Sequence, residues 1–154
     1  MSTLKQAFIA RYQEWYLNNE KYIKDNDLAC YKLLKKFNKE YNLDGISILT
    51  LDDYVLGKGK DTFCYFIEYE SERLGDIKGS YPTMKYKIYY SKEGKYKWKK
   101  NSSFGSNENE IFNNVKDSLF DLVVAINNYD DRAFELNKLN PLFKNKLEYL
   151  YNYE

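Results

Sequence analysis

Apolar residues recur at helical spacing near both ends of the chain. They return every three or four positions over residues 4–17 and again from Asp25 to about residue 41, which predicts two helices separated at Asn18-Asn19. A third predicted helix runs from about residue 107 to 126, and Asn107 with Glu110 three positions later gives it a capping-box-like start. Asn140-Pro141 predicts the cap and first residue of a last helix.

Between these helices the pattern changes from helical spacing to alternation. Residues 62–70, 84–90 and 95–99 alternate apolar with polar side chains, which predicts three strands, and residues 91–94 predict a hairpin turn between the last two. Residues 46–56 fit either a short strand or a helical turn, and no internal repeat or heptad array is evident. The order predicts an α+β fold: N-terminal helices, a central, mainly antiparallel sheet with a Lys-rich hairpin, and C-terminal helices.

The 154 residues suit a single domain spanning residues 1–154. The chain stops at Tyr153-Glu154 inside an unfinished aromatic helix pattern, so we expect it to be the N-terminal fragment of a longer protein. No stretch approaches the roughly 20 apolar residues of a membrane span, and the N terminus lacks the plan of a secretory signal. We therefore expect a cytoplasmic protein that does not engage a membrane.

The composition narrows the chemistry that the chain can perform. It contains no histidine, which excludes Ser-His-Asp and Cys-His catalysis and His-ligated zinc. Its two cysteines, Cys30 and Cys64, match no metal spacing, and we expect free, buried thiols in a reducing compartment. We expect no catalytic residue, cofactor or metal in the isolated domain.

The net charge of +1 conceals a segregated distribution. Residues 78–100 contain eight lysines and one glutamate, whereas residues 101–135 contain seven acids and two bases. Alternation places Lys85 and Lys87 on one face of their strand, and it places Lys95, Lys97 and Lys99 on one face of the partner strand. If the two rows share one surface, this hairpin could neutralise DNA phosphates. A solvated, edge-protecting lysine face and a docking surface for an acidic protein remain alternatives.

A glycine-lysine loop adds a second candidate anion site. In residues 57–60 the glycines let backbone N–H groups approach an anion, although the spacing is not that of a nucleotide P-loop. A plain solvated turn explains this loop equally well. Together with the hairpin, the predicted DNA-binding residues are Lys58, Lys60, Lys78, Lys85, Lys87, Lys95, Lys97, Lys99 and Lys100.

Aromatic residues close to the basic strands could stack on an exposed base. Tyr89 falls on the lysine face by parity and is the first candidate, followed by Tyr81 in a Gly/Ser/Pro loop. Trp98 is a third candidate, but it shares a face with Tyr96 and a core position is the simpler interpretation.

A small Mg²⁺-dependent nuclease is a further alternative, since such enzymes need acidic ligands and commonly a nearby lysine. Asp76-Ile77-Lys78 and Glu93-Gly94-Lys95 each fit a loose acid-x-lysine pattern, and Asp52, Asp53 and Asp61 could add a carboxylate. The pattern arises readily by chance in a chain this rich in charged residues, and a turn or helix cap explains Asp52-Asp53 better.

An ordered set of short segments between residues 53 and 150 resembles the N-terminal domains of McrB-like restriction subunits. The set comprises DYVLGKG at residues 53–59, FCYFIE at 63–68, LGDIKG at 74–79, KYKIYY at 85–90 and NPLFKNKL at 140–147. McrB-like subunits are AAA+ GTPases or ATPases that partner a nuclease. The resemblance implies that this domain reads DNA, expected to be double-stranded and potentially modified, with an AAA+ motor downstream and a separate nuclease subunit. Some members of this wider group flip a modified cytosine into an aromatic pocket.

Overall fold

Helices and a single two-stranded hairpin make up the regular structure of residues 3–152, which the computed structural model describes. The side chains of Thr3 and Leu4 are outside this description, and so are Tyr153 and Glu154, where the sequence predicts an unfinished helix. Within the described residues the expected order of elements is confirmed only in outline: helices precede and follow a hairpin. The expected central sheet is reduced to that hairpin.

The first helix, α1 (Thr3–Glu40), is one continuous helix of 38 residues, so the predicted break at Asn18-Asn19 is wrong. Asn19 is accommodated inside the helix because its side-chain amide donates to the carbonyl oxygen of Trp15 at 2.7 Å. Asparagine lowers helix propensity without blocking the backbone hydrogen bond, as proline would. Contacts divide the chain into two compact units, residues 1–33 and residues 34–154.

The second unit contains the last turns of α1 and all the remaining elements. Three short helices follow α1: α2 (Leu43–Ile48), α3 (Leu51–Tyr54) and α4 (Phe63–Tyr65). A π-helical segment (Phe66–Glu70), a 3₁₀ turn (Glu72–Leu74) and α5 (Pro82–Lys85) precede the hairpin strands β1 (Ile88–Tyr90) and β2 (Tyr96–Trp98). The chain then forms α6 (Glu108–Asn127), α7 (Asp131–Leu136) and α8 (Pro141–Tyr151).

An aromatic and aliphatic core holds this unit together. Phe37 of α1 is fully buried and its ring lies 5.3 Å from that of Phe66 and 5.0 Å from that of Tyr151. Phe143 of α8 packs edge-on against the ring of Tyr86, with 5.1 Å between the ring centroids. The inner face of α6 is buried in this unit, as the sequence predicts, through Ile111, Val115, Leu119, Leu122 and Ile126.

The strand predicted for residues 62–70 is wrong, because this segment is helical. Thr62 caps it by accepting a hydrogen bond from the backbone N–H of Tyr65. Phe63, Phe66 and Ile67 are buried at helical spacing, and the alternation of aromatic residues masks that second periodicity. Burial on this helix face outweighs the strand preference of aromatic residues.

Only the end of the predicted strand 84–90 is a strand. Pro82 occupies the first turn of α5, a position where its missing N–H costs nothing. Lys87 then adopts a positive φ of 69°, and β1 begins at Ile88. The predicted turn is confirmed: the N–H of Gly94, with φ 75°, donates to the carbonyl of Ser91 at 3.0 Å.

The predicted starts of the C-terminal helices are confirmed. Asn107 accepts from the N–H of Glu110, and Asn140 accepts from the N–H of Leu142, one residue after Pro141. In a capping box the Glu110 carboxylate accepts from the backbone N–H of the cap residue, here Asn107. It accepts instead from the backbone N–H of Ser106, one residue earlier. Helix α7 was not predicted; Asp130 caps it by accepting from the backbone N–H of Ala133.

Both cysteines are free, as expected; the expected burial is confirmed for Cys64 and is wrong for Cys30, which is partly exposed. Burial raises the pKa of the Cys64 thiol, which fits the expected inert role for this residue. Over residues 3–152, no helix has the length and apolar character needed to cross a membrane.

Candidate functional site

The glycine-lysine loop at residues 57–60 lies against strand β1. The N–H of Tyr90 donates to the carbonyl of Leu56 at 2.8 Å, which joins the start of the loop to the hairpin. Gly57 has a φ of 99°, and a Cβ added there would lie 2.1 Å from the carbonyl oxygen of Tyr90. Only glycine therefore allows this close backbone approach.

The loop and the hairpin border an open cleft of about 510 Å³. Besides the loop itself, its walls come from the helical segment after Thr62 and from the end of β1 with its turn. They consist of Leu56, residues 57–60, Tyr65, Tyr69, Tyr89, Tyr90, Ser91 and Lys92. Four tyrosines and three lysines thus face one opening, a combination suited to a planar group that carries negative charge.

A hydroxyl group in this cleft has unused hydrogen-bonding capacity. The Oγ atom of Ser91 is buried, and over the described residues it is the one buried side-chain polar atom without a hydrogen-bond partner. Buried polar groups are normally satisfied by protein, water or ligand. Ser91 is a lining residue of the cleft, but its Oγ atom has almost no accessible surface, so a ligand in the cleft does not contact this hydroxyl in the present side-chain conformation.

Lys58 is anchored at the edge of the cleft by charged and aromatic neighbours. Its ammonium lies 2.5 Å from the carboxylate of Asp52, 3.0 Å from the hydroxyl of Tyr96 and 5.0 Å from the ring centre of Tyr90. The hydrogen bond from Lys58 holds the pKa of the Asp52 carboxyl below its usual value, and Asp52 raises the pKa of Lys58. Because Asp52 offsets its charge, Lys58 contributes less positive field than Lys60 or Lys92.

The outer face of the hairpin carries the predicted lysine row. The register pairs Tyr89 with Lys97 and Tyr90 with Tyr96, so Tyr89 shares a face with Lys97 as parity predicted. Lys95 and Lys99 flank β2 at alternate positions on that side and are exposed. Lys97 is partly covered and forms an ion pair with Glu93 at 3.0 Å.

Lys87 is a weaker member of the row than the sequence suggests. It is half-buried, and its ammonium lies 5.3 Å from the ring centre of Phe104. Burial lowers the pKa of Lys87, and the neighbouring charge of Lys99 lowers it further. Lys87 and Lys99 therefore repel each other in the absence of an anion.

The expected position of Lys85 on the basic face is wrong. Lys85 lies in α5, is completely buried and forms an ion pair with Glu68, with N–O distances of 2.5 and 2.8 Å. Its ammonium also donates to the carbonyl of Ile77 at 2.9 Å, and the hydroxyl of Tyr86 donates to Glu68 at 2.5 Å. With every donor satisfied inside the protein, Lys85 has no route to a phosphate in this fold.

The remaining predicted residues are spread around the hairpin. Lys78 forms an ion pair with Glu72 at 2.7 Å, outside the cleft. Tyr81 is 77% exposed in its loop, and Trp98 lies on the opposite face from Tyr89 and is half-buried. Among the described residues, no ion pair involves Lys60, Lys92, Lys95, Lys99 or Lys100, and none joins a lysine of residues 78–100 to an acid of residues 101–135.

Six cleft residues were absent from the predicted set: Leu56, Tyr65, Tyr69, Tyr90, Ser91 and Lys92. Tyr65 and Tyr69 are one helical turn apart, and their rings lie 4.9 Å from each other. Residues four positions apart share a face in a strand as well as in a helix. The spacing of Tyr65 and Tyr69 therefore did not indicate that they meet the hairpin. Lys92 is in the predicted turn, and only the position of the loop beside that turn identifies it.

The acid-x-lysine pairs make local contacts. Asp76 accepts from the backbone N–H of Lys78, and Glu93 pairs with Lys97 rather than Lys95. Thr50 is the N-cap of α3: its hydroxyl oxygen accepts from the backbone N–H of Asp53, and the Asp53 carboxylate accepts from the same hydroxyl, so Asp53 belongs to a helix start as the cap interpretation requires. Across the described part of the chain, no group of three or more Cys, Asp or Glu side chains is arranged to hold a metal ion.

Comparison with known proteins adds no relative to this picture. No protein-family profile, no curated protein and no solved structure matches the chain. The likeness to McrB-like N-terminal domains stays a prediction from short segments.

Proposed function

We propose that this chain is a DNA-binding specificity module whose hairpin holds phosphates on its outer face and whose tyrosine cleft receives an unstacked base. The observation that carries the proposal is the convergence of two features on one hairpin. Tyr89 shares a face with Lys97 and also lines the cleft beside Lys60 and Lys92. A strand of DNA along the lysine row would therefore pass the mouth of the cleft.

The spacing of the lysines suits a phosphate backbone. Alternate residues of a strand lie about 7 Å apart. This distance matches about two steps of a DNA strand, which advances about 3.4 Å per charge along the axis. Lys95, Lys97 and Lys99 could therefore lie beside every second phosphate of one strand, and the anion would relieve the repulsion between Lys87 and Lys99.

The cleft suits a nucleobase by size and chemistry. Its volume of about 510 Å³ falls within the common range of small-molecule sites, roughly 300–1,000 Å³. Tyrosine rings provide stacking surfaces for any base, and Lys60 and Lys92 line the same cleft. Extruding a base costs a few kcal/mol, which stacking in the cleft would offset.

The likeness to McrB-like subunits supports a place in a restriction or defence system. In that arrangement this domain would select the DNA, while a downstream AAA+ motor and a nuclease subunit would act on it. An acidic protein partner on the same lysine face is the alternative, and the DNA measurements below distinguish the two.

Fluorescence anisotropy with a labelled duplex at several salt concentrations tests the phosphate contacts. For Lys95→Gln with Lys99→Gln we expect weaker binding to all sequences, and a log–log salt slope reduced by about 1.8, since each lost phosphate contact removes about 0.9. Lys21→Gln with Lys138→Gln removes the same charge from exposed positions elsewhere. If the wild-type chain fails to bind DNA near 100 mM salt, the proposal is wrong and the acidic partner becomes the better one.

A second measurement tests the cleft. Tyr89→Ala removes a stacking surface, and we expect it to weaken binding about 5- to 150-fold, the equivalent of about 1–3 kcal/mol per stacked base. The wild-type chain should prefer a duplex with a mismatched base, which is easier to extrude. If Tyr89→Ala and Tyr81→Ala lower affinity equally, the cleft has no special role.

A further inference from the structure

We propose that residues 8–33 of α1 form a parallel, in-register two-stranded coiled coil with a second copy of this chain. This inference is independent of the proposed DNA binding. It starts from the continuity of α1, because the heptad pattern is not recognisable when the segment is divided at Asn18-Asn19.

Large apolar side chains line one face of this helix and are exposed. Phe8, Trp15 and Tyr22 are seven residues apart, and Tyr12 lies between the first two at the complementary heptad position. Phe8 is 70% exposed, Tyr12 55% and Trp15 54%. Isolated soluble domains rarely leave so large a continuous apolar surface uncovered.

The area fits a helix pair. Ile9 and Tyr16 extend the same face, and both are exposed. An aromatic side chain contributes about 150–250 Å² when covered, so the exposed parts of this face amount to roughly 500–700 Å² per copy. Stable interfaces start near about 600 Å² per partner.

Polar residues within the seam indicate that the partner is the same sequence. With Phe8, Trp15 and Tyr22 at the d positions, the a positions are Tyr12, Asn19, Asn26 and Leu33. An apolar partner would leave the Asn26 amide buried without a hydrogen bond, and it would leave the Asn19 amide only its bond to the carbonyl of Trp15. In a parallel, in-register pair each asparagine faces its own counterpart and can bond to it, and such asparagines fix register in coiled coils.

The charges favour a protein partner over a lipid surface. Residues 5–32 carry five basic and four acidic side chains. A helix that lies on an anionic membrane is normally rich in lysine and arginine on its polar face. The near balance here gives little attraction to lipid and little repulsion between two copies.

Sedimentation equilibrium of the full chain over a wide concentration range tests dimerisation. We expect a mass approaching twice the 18.5 kDa monomer. Trp15→Glu should raise the dissociation constant at least about tenfold, as expected for a central aromatic anchor. Leu17→Glu is the matched control, since Leu17 is 70% exposed on the opposite side of the helix and should leave the constant unchanged.

Glutamate is a good helix former, so neither variant should lose helix content, and circular dichroism checks this. A wild-type chain that stays monomeric at every concentration would overturn the proposal. So would a dimer that Trp15→Glu and Leu17→Glu weaken equally.

Oxidative cross-linking tests the orientation. In a Cys30→Ser background, Asn26→Cys places a thiol at the seam, where paired Cα atoms of a parallel coiled coil come within the 4.4–6.8 Å reach of a disulfide. We expect a covalent dimer from Asn26→Cys and none from Leu17→Cys. A non-covalent dimer that does not cross-link at position 26 would contradict the parallel register.

Discussion

At the scale of single residues, lysine has two opposite roles in this protein. Lys95 and Lys99 are exposed and have charge available for a ligand. Lys85, Lys144 and Lys146 are buried, and each ammonium bonds to backbone carbonyls of the second unit. Counting lysines along the sequence therefore overstates the positive surface, because composition does not distinguish the two roles.

The buried pair of Lys85 and Glu68 provides the first stability prediction. Replacing Lys85 with methionine leaves the Glu68 carboxylate buried without its counter-ion, and we expect a loss of about 3–5 kcal/mol in the free energy of unfolding. Denaturant unfolding followed by circular dichroism measures this loss. Adding Glu68→Gln should recover part of it, because no charge then remains buried.

Lys95→Met removes an exposed lysine from the same hairpin region and serves as the control. We expect it to change the free energy of unfolding by no more than about 0.5 kcal/mol. Equal losses for Lys85→Met and Lys95→Met would show that the buried pair does not stabilise the fold.

Among the secondary-structure elements, the starts of the C-terminal helices and the hairpin turn were predicted better than the strands. Asn107, Asn140-Pro141 and the turn before Gly94 were identified correctly because each acts through neighbouring backbone groups. The segment after Thr62 was assigned as a strand because its aromatic residues alternate. Its helical state depends on burial against Phe37 and Phe143, contacts that are distant in sequence.

The contact between the glycine-lysine loop and β1 gives a prediction at this scale. Gly57→Ala adds a Cβ about 2.1 Å from the carbonyl oxygen of Tyr90 at a positive φ, so the loop has to move away from the hairpin. We expect destabilisation by about 2–4 kcal/mol, more than backbone strain alone, which costs about 1–3 kcal/mol. Thermal and denaturant unfolding measure this effect.

Gly79→Ala separates the cost of backbone strain from the cost of a steric clash. Gly79 has a similar φ of 96°, but an added Cβ would meet no atom within 4 Å. The difference between the two variants therefore reports the close approach at Tyr90. Identical losses would contradict the docked position of the loop and, with it, the shape of the cleft.

At the scale of the whole second unit, the cleft is a product of long-range packing. Its walls come from three separate segments, which contain residues 57–60, Tyr69 and Tyr89. In the sequence each segment was interpreted without reference to the other two. The loop and Tyr89 were predicted as separate binding candidates. Their proximity required the pairing of Leu56 with Tyr90, which no local pattern encodes.

Buried tyrosines make the stability of this unit sensitive to alkali. Burial raises the pKa of Tyr41, Tyr54, Tyr86 and Tyr151 above the usual value of about 10. In the folded state these hydroxyls keep their protons at a pH where the unfolded chain releases them. Their contribution to stability is therefore fully present below about pH 10 and is lost as the pH rises above it.

We expect unfolding above pH 10 to be steep, with each such tyrosine contributing a slope of up to about 1.4 kcal/mol per pH unit. Tyrosinate absorbance should rise in two stages: exposed tyrosines first, and the buried ones together with the loss of circular dichroism. Tyr54→Phe removes one buried hydroxyl and should reduce the slope by one such step. Complete titration of all tyrosines before any loss of helix would contradict the burial on which this prediction rests.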